Sequence, residues 1–523
     1  MYDRIIDHAT TSRPVTKLDF TGQSRASHLS NRSSRSRVTN IFTMTFTNPN
    51  VHHSAKSLFQ IALACILQFL SGSTFALGVF SDAIQRSAHP PHVLDDIWGS
   101  SIGKMNVAST LVMLIAALYL SRSKSACRIP GDKSSTLACI RGQSFLATGG
   151  FAALFLAGYG VSISSRFLVA FAIVMQAFPL SINYLLCAEL LPMWYPTHPG
   201  LAVGIGQMSF GLGVVSFSSF CHWLEVSLGC KYALYATATV LTLCSLLGTM
   251  NLDIPGNAHH VPQNNEEASL FQNEQCLSWQ TIVRAPSFWF YIIVIFNAMA
   301  PFSFYGYFYQ VGLSFERPMK QLVRVFQLAT FGSTICRLVA GFMVDVLRTR
   351  SGFFFSGGKN TTAVLLFLQS IFFFLLVPMS QAKSYEGFAV LSSLLVINVD
   401  MCTSVSSLLA RDFFGGANCS FVFGFGGGIA IGLGCALATK LFSMASGMDS
   451  GIVITPISFC KAYMVLGTLG ILGLLAIAVM QRCEEAFAYM PGKLSSYGSV
   501  YDSAEKNKTF DIEYPLQAVV SKP

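Results

Sequence analysis

Residues 251–286 read NLDIPGNAHHVPQNNEEASLFQNEQCLSWQTIVRAP and form a long polar segment between two blocks of apolar sequence. A stretch of about 20 apolar residues is long enough to cross a bilayer as a helix. Six such stretches precede this linker and six follow it. We number them spans 1 to 12; they cover 57–81, 98–120, 143–162, 166–191, 200–222, 232–250, 287–313, 322–344, 361–380, 386–410, 417–440 and 461–481.

The arrangement of the spans predicts an all-α fold. We expect a polytopic membrane protein with 12 transmembrane helices in two six-helix bundles, 57–250 and 287–482. A polar hinge between two blocks of six is typical of secondary transporters. Composition agrees, because charged residues make up 11% of the chain, about half the share in soluble proteins.

The sequence offers little support for an enzyme. It contains no Walker-type loop, no Gly-x-Ser-x-Gly and no Cys/His cluster at metal-ligand spacing. The 14 cysteines fall mostly inside spans, in a pattern that implies no disulfide framework. We therefore expect no catalytic residues, no metal, no cofactor and no nucleic-acid partner.

The two tails carry the charge signal for topology. Residues 1–56 hold eight Lys/Arg against three Asp and are predicted to be a disordered basic tail. An even number of spans places both termini on one side, so we expect 1–56, the 251–286 linker and the tail 483–523 to be cytoplasmic. Three alternatives remain open for this tail: a contact with anionic lipid, a phosphorylation switch and a mitochondrial presequence. Translation from Met44 would remove most of the tail. The sequence does not distinguish the plasma membrane from an organelle membrane.

The two halves repeat a glycine pattern. Span 5 ends its glycine-rich stretch in Gly211-Leu-Gly213, and span 11 runs through Gly427 to Gly432-Leu-Gly434. Small residues let helices approach closely in lipid, so Gly211, Gly213, Gly427 and Gly432 are predicted packing positions. The alternative is that glycine is simply frequent in membrane helices.

A gating candidate follows span 8, in the stretch Gly341-Phe-Met-Val-Asp345-Val-Leu-Arg348. Asp345 against Arg348 at a helix–loop junction is interpreted as a latch that closes the cytoplasmic side and breaks on opening. Ordinary anchoring by positive charge is the alternative interpretation.

Four stretches of the chain resemble the major facilitator superfamily, across roughly 57–482. More narrowly they are similar to the oxalate/formate antiporter and monocarboxylate porter group, with nodulin-like carriers close by. The stretches begin at Gln68 in span 1, Trp194 before span 5, Arg284 before span 7 and Arg337 in span 8. The chain departs from the oxalate carriers by lacking a lysine in span 11, and from proton-linked porters by having Ser333 one turn before Arg337.

Arg337 is the leading binding candidate. It lies about eight residues, roughly 12 Å, inside the predicted end of span 8, too deep for comfortable snorkelling. Arginine stays charged and binds a carboxylate through two parallel hydrogen bonds, and the resemblance implies the same role. A structural ion pair is the alternative.

Asp400, midway along span 10, is the second candidate. It is predicted to neutralise Arg337 in the empty carrier or to hold a coupling proton; a structural acid is the alternative. Lower-ranked cavity candidates are Asn183, Tyr184, Asn297, Tyr305 and Tyr307. Lys104 is expected to snorkel. Glu189 is interpreted as a loop-interface charge.

These observations predict a monomeric secondary active transporter that moves a small organic anion, a monocarboxylate, by alternating access. Its partners are the anion, membrane lipid and, as a candidate, a coupling proton. A substrate-sensing receptor on a carrier fold and a carrier for a different small solute remain alternatives. A channel is less favoured, because nothing forms a repeated filter loop.

Overall fold

The structure is a computed structural model that describes residues 55–76, 111, 114–115, 117–119, 133–163, 165–253, 277–350, 357–447 and 455–481. Both predicted tails except residues 55–56, the linker residues 254–276, and Lys104 lie outside the described residues. So does most of span 2.

Helices account for the regular structure of the described residues in the N-terminal half. A break at Gly72 divides span 1, a break at Ala153 divides span 3, and a break at Gln176 divides span 4. Spans 1 and 3 to 6 correspond to the helices Ala55–Ser71, Ser73–Ala76, Lys133–Ala152, Leu154–Ser162, Arg166–Met175, Ala177–Trp194, Pro199–Leu228 and Cys230–Asn251.

The C-terminal half begins with a short helix, Trp279–Arg284, at the end of the linker. Ala300 and Pro301 separate the two helices of span 7. The remaining helices, in chain order, are Pro286–Met299, Phe302–Leu313, Met319–Arg350, Gly357–Gln381, Tyr385–Phe414, Gly416–Phe421, Gly428–Ser446 and Cys460–Val479.

Within the described ranges, nine helices are long and apolar enough to cross a membrane. No described residue lies in a strand. The prediction of an all-α polytopic membrane protein is confirmed. Several of the observed helices, such as Lys133–Ala152 and Met319–Arg350, extend past the predicted spans. A helix continues as long as its backbone hydrogen bonds do, whereas hydropathy marks only the apolar run.

Span 11 departs from a regular helix. Residues Val422–Gly427 form a π-helix, and Gly424, Gly426 and Gly427 lie in it. Such segments are rare and occur often at functional sites. The glycine-rich pattern seen in the sequence therefore coincides with a local change in helical geometry.

Apolar cores lie both within each half and between them. Phe151, Phe217 and Leu234 belong to a core inside the N-terminal half. Phe304 and Phe388 belong to an aromatic core inside the C-terminal half. A third core joins the halves and contains Leu186 and Leu190 of span 4 together with Phe414 and Phe423. Each half therefore has its own packing and also shares one apolar interface.

Spans 5 and 8 form the tightest interface between the halves. A methyl group added at Gly200 would overlap the carbonyl oxygen of Gly341, and one added at Gly204 would lie 3.1 Å from the Leu338 carbonyl oxygen. One added at Gly211 would lie 2.7 Å from the Thr334 hydroxyl oxygen. Small residues thus let these helices touch over several turns.

The other predicted packing glycines have different surroundings. A methyl group at Gly213 would overlap the Phe69 carbonyl oxygen of span 1, whereas one at Gly427 would lie 3.3 Å from the Phe423 ring. Gly432 is half-buried in the helix Gly428–Ser446. Their role in packing stays a prediction, and it is best motivated at Gly211 and Gly213.

Candidate functional site between the two halves

Arg337 lies deep in the helix Met319–Arg350, 13 residues before its last residue. That separation corresponds to about 20 Å along the helix axis. The residue is 8% exposed. Arg337 is therefore farther from the helix end than the predicted span boundary indicated, because the helix continues to Arg350.

Asp400 pairs with Arg337 from the middle of the helix Tyr385–Phe414. The Arg337 Nη2 and Asp400 Oδ2 atoms are 3.0 Å apart, and Asp400 is 7% exposed. Ser333 donates its hydroxyl to the same Oδ2 at 2.6 Å. Span 8 thus holds a serine one turn before its arginine, and that serine positions an acid supplied by span 10.

Span 5 contacts Arg337 from the other half. The Arg337 Nη1 donates to the Gln207 carbonyl oxygen at 3.5 Å, and the guanidinium carbon lies 5.4 Å from the centre of the Phe210 ring. A cation over an aromatic face is attracted by the ring quadrupole. The guanidinium therefore touches both halves of the molecule.

Aromatic rings surround this charge pair. Tyr184 of span 4 packs edge-on against Phe210 at 5.8 Å and stacks on Phe423 of span 11 at 5.5 Å, measured between ring centroids. The Tyr184 hydroxyl lies close to Thr403 and Gln207 and interacts with both charges. Among the residues that the structure describes, the site consequently combines one cation, one anion and an aromatic wall drawn from both halves.

The other predicted cavity residues whose side chains the structure describes lie elsewhere. Asn183 donates to the Ser71 hydroxyl at 3.0 Å, and Asn297 donates to the Ile293 carbonyl at 2.7 Å. Neither amide hydrogen-bonds to the charge pair within the described residues. Tyr307 stacks on Phe442 at 5.0 Å. Tyr305 belongs to the helix Phe302–Leu313, and its side chain lies outside the described part.

Sequence reasoning missed Gln207, Phe210 and Phe423 as site residues. Gln207 carried a usable signal, because it is a polar side chain inside the apolar, glycine-rich span 5. Phe210 and Phe423 carried no such signal, because nothing in the sequence distinguishes them from the other phenylalanines among the 44 in the chain.

Asp345 joins the halves at the linker end, by which we mean the side of the bundle where span 6 ends and span 7 begins. Its two carboxylate oxygens accept hydrogen bonds from the backbone N–H groups of Gly200 at 2.8 Å and Leu201 at 2.7 Å. These residues open the helix of span 5, where unpaired N–H groups and the helix dipole favour negative charge. Asp345 thus caps a helix of the opposite half.

The salt bridge of Arg348 is to a residue other than Asp345. Arg348 forms its salt bridge with Asp412 of span 10, and the Asp412 Oδ2 also accepts from the Gly358 backbone N–H at 2.9 Å. The N–H groups of span 5 hydrogen-bond the Asp345 carboxylate, and Arg348 also interacts with it electrostatically. The latch role of Asp345 and Arg348 stays a prediction.

Glu189 is also not a loop charge. It is buried, and its carboxylate accepts a hydrogen bond from the Ser420 hydroxyl of span 11. Span 4 therefore contacts the opposite half through a carboxylate, as span 8 does through Asp345.

A family model described as Major Facilitator Superfamily matches residues 61–439. The chain belongs to this superfamily. It is accordingly an integral, multi-pass membrane transporter, and the fold expected from the sequence resemblance is confirmed. The narrower likeness to oxalate/formate and monocarboxylate carriers stays a prediction.

Solved structures of other major facilitator proteins share this fold. The proton:xylose symporter XylE is 14% identical with a TM-score of 0.61; the alignment covers 84% of this chain and 100% of that one. The E. coli fucose:proton symporter FucP is 12% identical with a TM-score of 0.54, covering 82% and 100%. The human organic anion transporter MFSD10 is 12% identical with a TM-score of 0.52, covering 81% and 100%. A comparison with curated protein sequences finds no match.

Proposed function

We propose that this protein is a secondary active transporter of a small organic carboxylate, and that Arg337 binds the carboxylate group. The observation that carries the proposal is the buried ion pair between Arg337 Nη2 and Asp400 Oδ2, which are 3.0 Å apart at the interface of the two halves. Alternating access requires a site that both halves can reach, and Arg337 contacts residues of both.

The energetics of a buried cation support a binding role. An arginine at the centre of a membrane helix costs about 2.5–3.5 kcal/mol by insertion scales, so it is retained where it contacts a ligand or a partner. Its planar guanidinium matches the two oxygens of a carboxylate. The described residues place one guanidinium in the site, which favours a substrate with one carboxylate.

Asp400 sets the charge condition for binding. In this conformation it neutralises Arg337, and a second carboxylate near Arg337 would be repelled by it. A proton bound to Asp400 would remove that repulsion and release the guanidinium to the substrate. A simple anion would therefore enter together with one proton, which makes symport the favoured mode.

Uptake into proteoliposomes of the purified chain tests the proposal. We expect labelled monocarboxylates to accumulate against their gradient when the outside is acidified. Arg337→Ala should reduce uptake by about 100-fold, because it leaves Asp400 buried without its cation. Arg337→Lys keeps the charge but loses the planar fork and should reduce uptake by roughly tenfold.

Arg324→Lys is the matched control, because Arg324 lies on the same helix and is exposed. Wild-type affinity for carboxylates in Arg337→Ala at normal abundance would contradict the proposal. Saturable binding without accumulation would instead favour a sensor, and uptake of uncharged solutes alone would favour a carrier of another class.

A further inference from the structure

We propose that the substrate supplies its own cation to Asp400, so that the site accepts a zwitterionic amino acid. The carboxylate of the amino acid would pair with Arg337, and its ammonium group would pair with Asp400. The inference rests on the proposed function, because it requires Arg337 to bind a carboxylate.

The first argument is the charge of the site. Arg337 and Asp400 carry opposite unit charges, and both are at least nine-tenths buried. A simple anion would add one negative charge to this poorly solvated environment, where net charge is costly. A zwitterion adds none. It replaces one internal ion pair with two intermolecular pairs of the same kind.

The second argument is an acceptor without a donor. The Gln207 side chain is 1% exposed, and its Oε1 accepts no hydrogen bond from any residue the structure describes. A buried acceptor of this kind is costly to leave unpaired. A donor on the substrate would satisfy this oxygen, and a substrate ammonium group carries three N–H donors whereas a carboxylate carries none.

The two acceptors lie in one neighbourhood. The backbone carbonyl of Gln207 contacts the Arg337 guanidinium, and the Tyr184 hydroxyl lies close to the Gln207 side chain while interacting with both Arg337 and Asp400. Asp400 and Gln207 thus approach the same small volume from opposite halves. An amino acid bound there would bridge the halves through its ammonium group.

The third argument is the aromatic wall. Tyr184, Phe210 and Phe423 form a continuous set of ring contacts beside the charge pair. Aromatic faces attract alkylammonium groups as well as guanidinium, and they do not attract carboxylates. The surroundings of Arg337 therefore favour a ligand that carries a cation in addition to its anion.

A matched set of ligands separates this inference from simple anion transport. Each common L-amino acid is screened for competition or counterflow in proteoliposomes of the full chain. Every amino acid that binds is then compared with its 2-hydroxy and its deaminated analogue, which keep the carboxylate and the side chain. We expect at least a tenfold tighter binding of the amino acid, and uptake of a neutral amino acid that leaves the internal pH unchanged.

Two variants test the roles of the acceptors. Asp400→Asn keeps the shape but loses the charge, so amino-acid affinity should fall by at least tenfold while the affinity for the deaminated analogue stays or rises. Gln207→Met should lower the affinity for the amino acid more than the affinity for its deaminated analogue. Gln68→Met is the control, because Gln68 is also a buried amide with unpaired atoms but lies on span 1 beside Gly206.

The outcomes are distinguishable from failure of the proposed function. Three outcomes would each overturn the inference. The carboxylate analogues bind as tightly as the amino acids, Asp400→Asn lowers the affinity for both equally, or no amino acid binds. Those results leave Arg337 as an anion site. Amino-acid binding that survives in Arg337→Ala would overturn both proposals.

Discussion

Two of the polar contacts between the halves differ in kind: one lies in the middle of the spans and the other at the linker end. In the middle, Arg337 pairs with Asp400 and touches the Gln207 carbonyl across the interface. At the linker end, Asp345 accepts hydrogen bonds from two backbone N–H groups at the start of span 5. A ligand can replace a side-chain ion pair, whereas helix-terminal N–H groups beside tightly packed glycines leave no room for one.

This difference suggests a division of labour. In the middle contact, a substrate can take the place of Asp400 as the partner of Arg337. The linker-end contact is suited to hold the halves together until the substrate is bound. Independent tests of the two contacts should therefore change different observables: affinity for the first and the conformational equilibrium for the second.

The largest effect is expected from Gly211→Leu. The side chain would meet Thr334 of span 8 and force spans 5 and 8 apart, so uptake should fall to background although the protein still inserts. Gly427→Leu meets the edge of the Phe423 ring and the Tyr291 hydroxyl at ordinary or slightly short contact distances, and it should impair uptake less. Uptake and surface abundance are measured together.

Gly149→Leu is the control for these variants, because a methyl group at Gly149 meets nothing within 4 Å. Normal uptake in Gly211→Leu at normal abundance would remove the argument that the span 5–span 8 interface must stay close.

Asp345→Ala is expected to have a smaller effect on uptake and to shift the conformational equilibrium in one direction. Loss of two charge-assisted hydrogen bonds should shift the equilibrium toward a state open at the linker end by at least about tenfold, since each such bond is worth about 1.5–3 kcal/mol. Asp345→Asn should recover part of that shift because one amide oxygen still accepts. Accessibility of a cysteine introduced near Gly200 reports the equilibrium, and an unchanged accessibility would refute the latch.

Tyr184→Phe should have a modest effect on the middle contact. It removes the hydroxyl beside Gln207 and Thr403 but keeps the ring stacked on Phe423. We expect substrate affinity to weaken by about three- to tenfold, the value of one ordinary hydrogen bond, without a change in cysteine accessibility at the linker end. A change in accessibility instead would mean that the two contacts are not independent.

No effect at all is expected at two glycosylation sequons. If the linker end is cytoplasmic, Asn360-Thr-Thr and Asn507-Lys-Thr should stay unmodified in cells, whereas an acceptor engineered into 88–94 should be glycosylated. Mobility shifts after glycosidase treatment provide the measurement. Glycan on either native asparagine would reverse the orientation and place the Asp345 contact outside.

The sequence predicts the fold and the charged pair for the same physical reason. Burying charge in lipid is costly, so long apolar runs mark the spans, and Arg337 and Asp400 stand out as the exceptions within them. The site roles of Phe210 and Phe423 and the capping role of Asp345 depend on which helix faces meet. That information is tertiary, and a single sequence without its three-dimensional neighbours does not contain it.

The charge pair also bears on how the chain is made. During synthesis span 8, which carries Arg337, reaches the membrane before span 10 supplies Asp400. A single helix with an unpaired arginine enters lipid at a cost of several kcal/mol. Spans 8 to 10 would therefore leave the insertion machinery more readily as a group than singly. Loss of Asp400 in a truncated chain would be expected to trap span 8 at that stage and expose it to quality control.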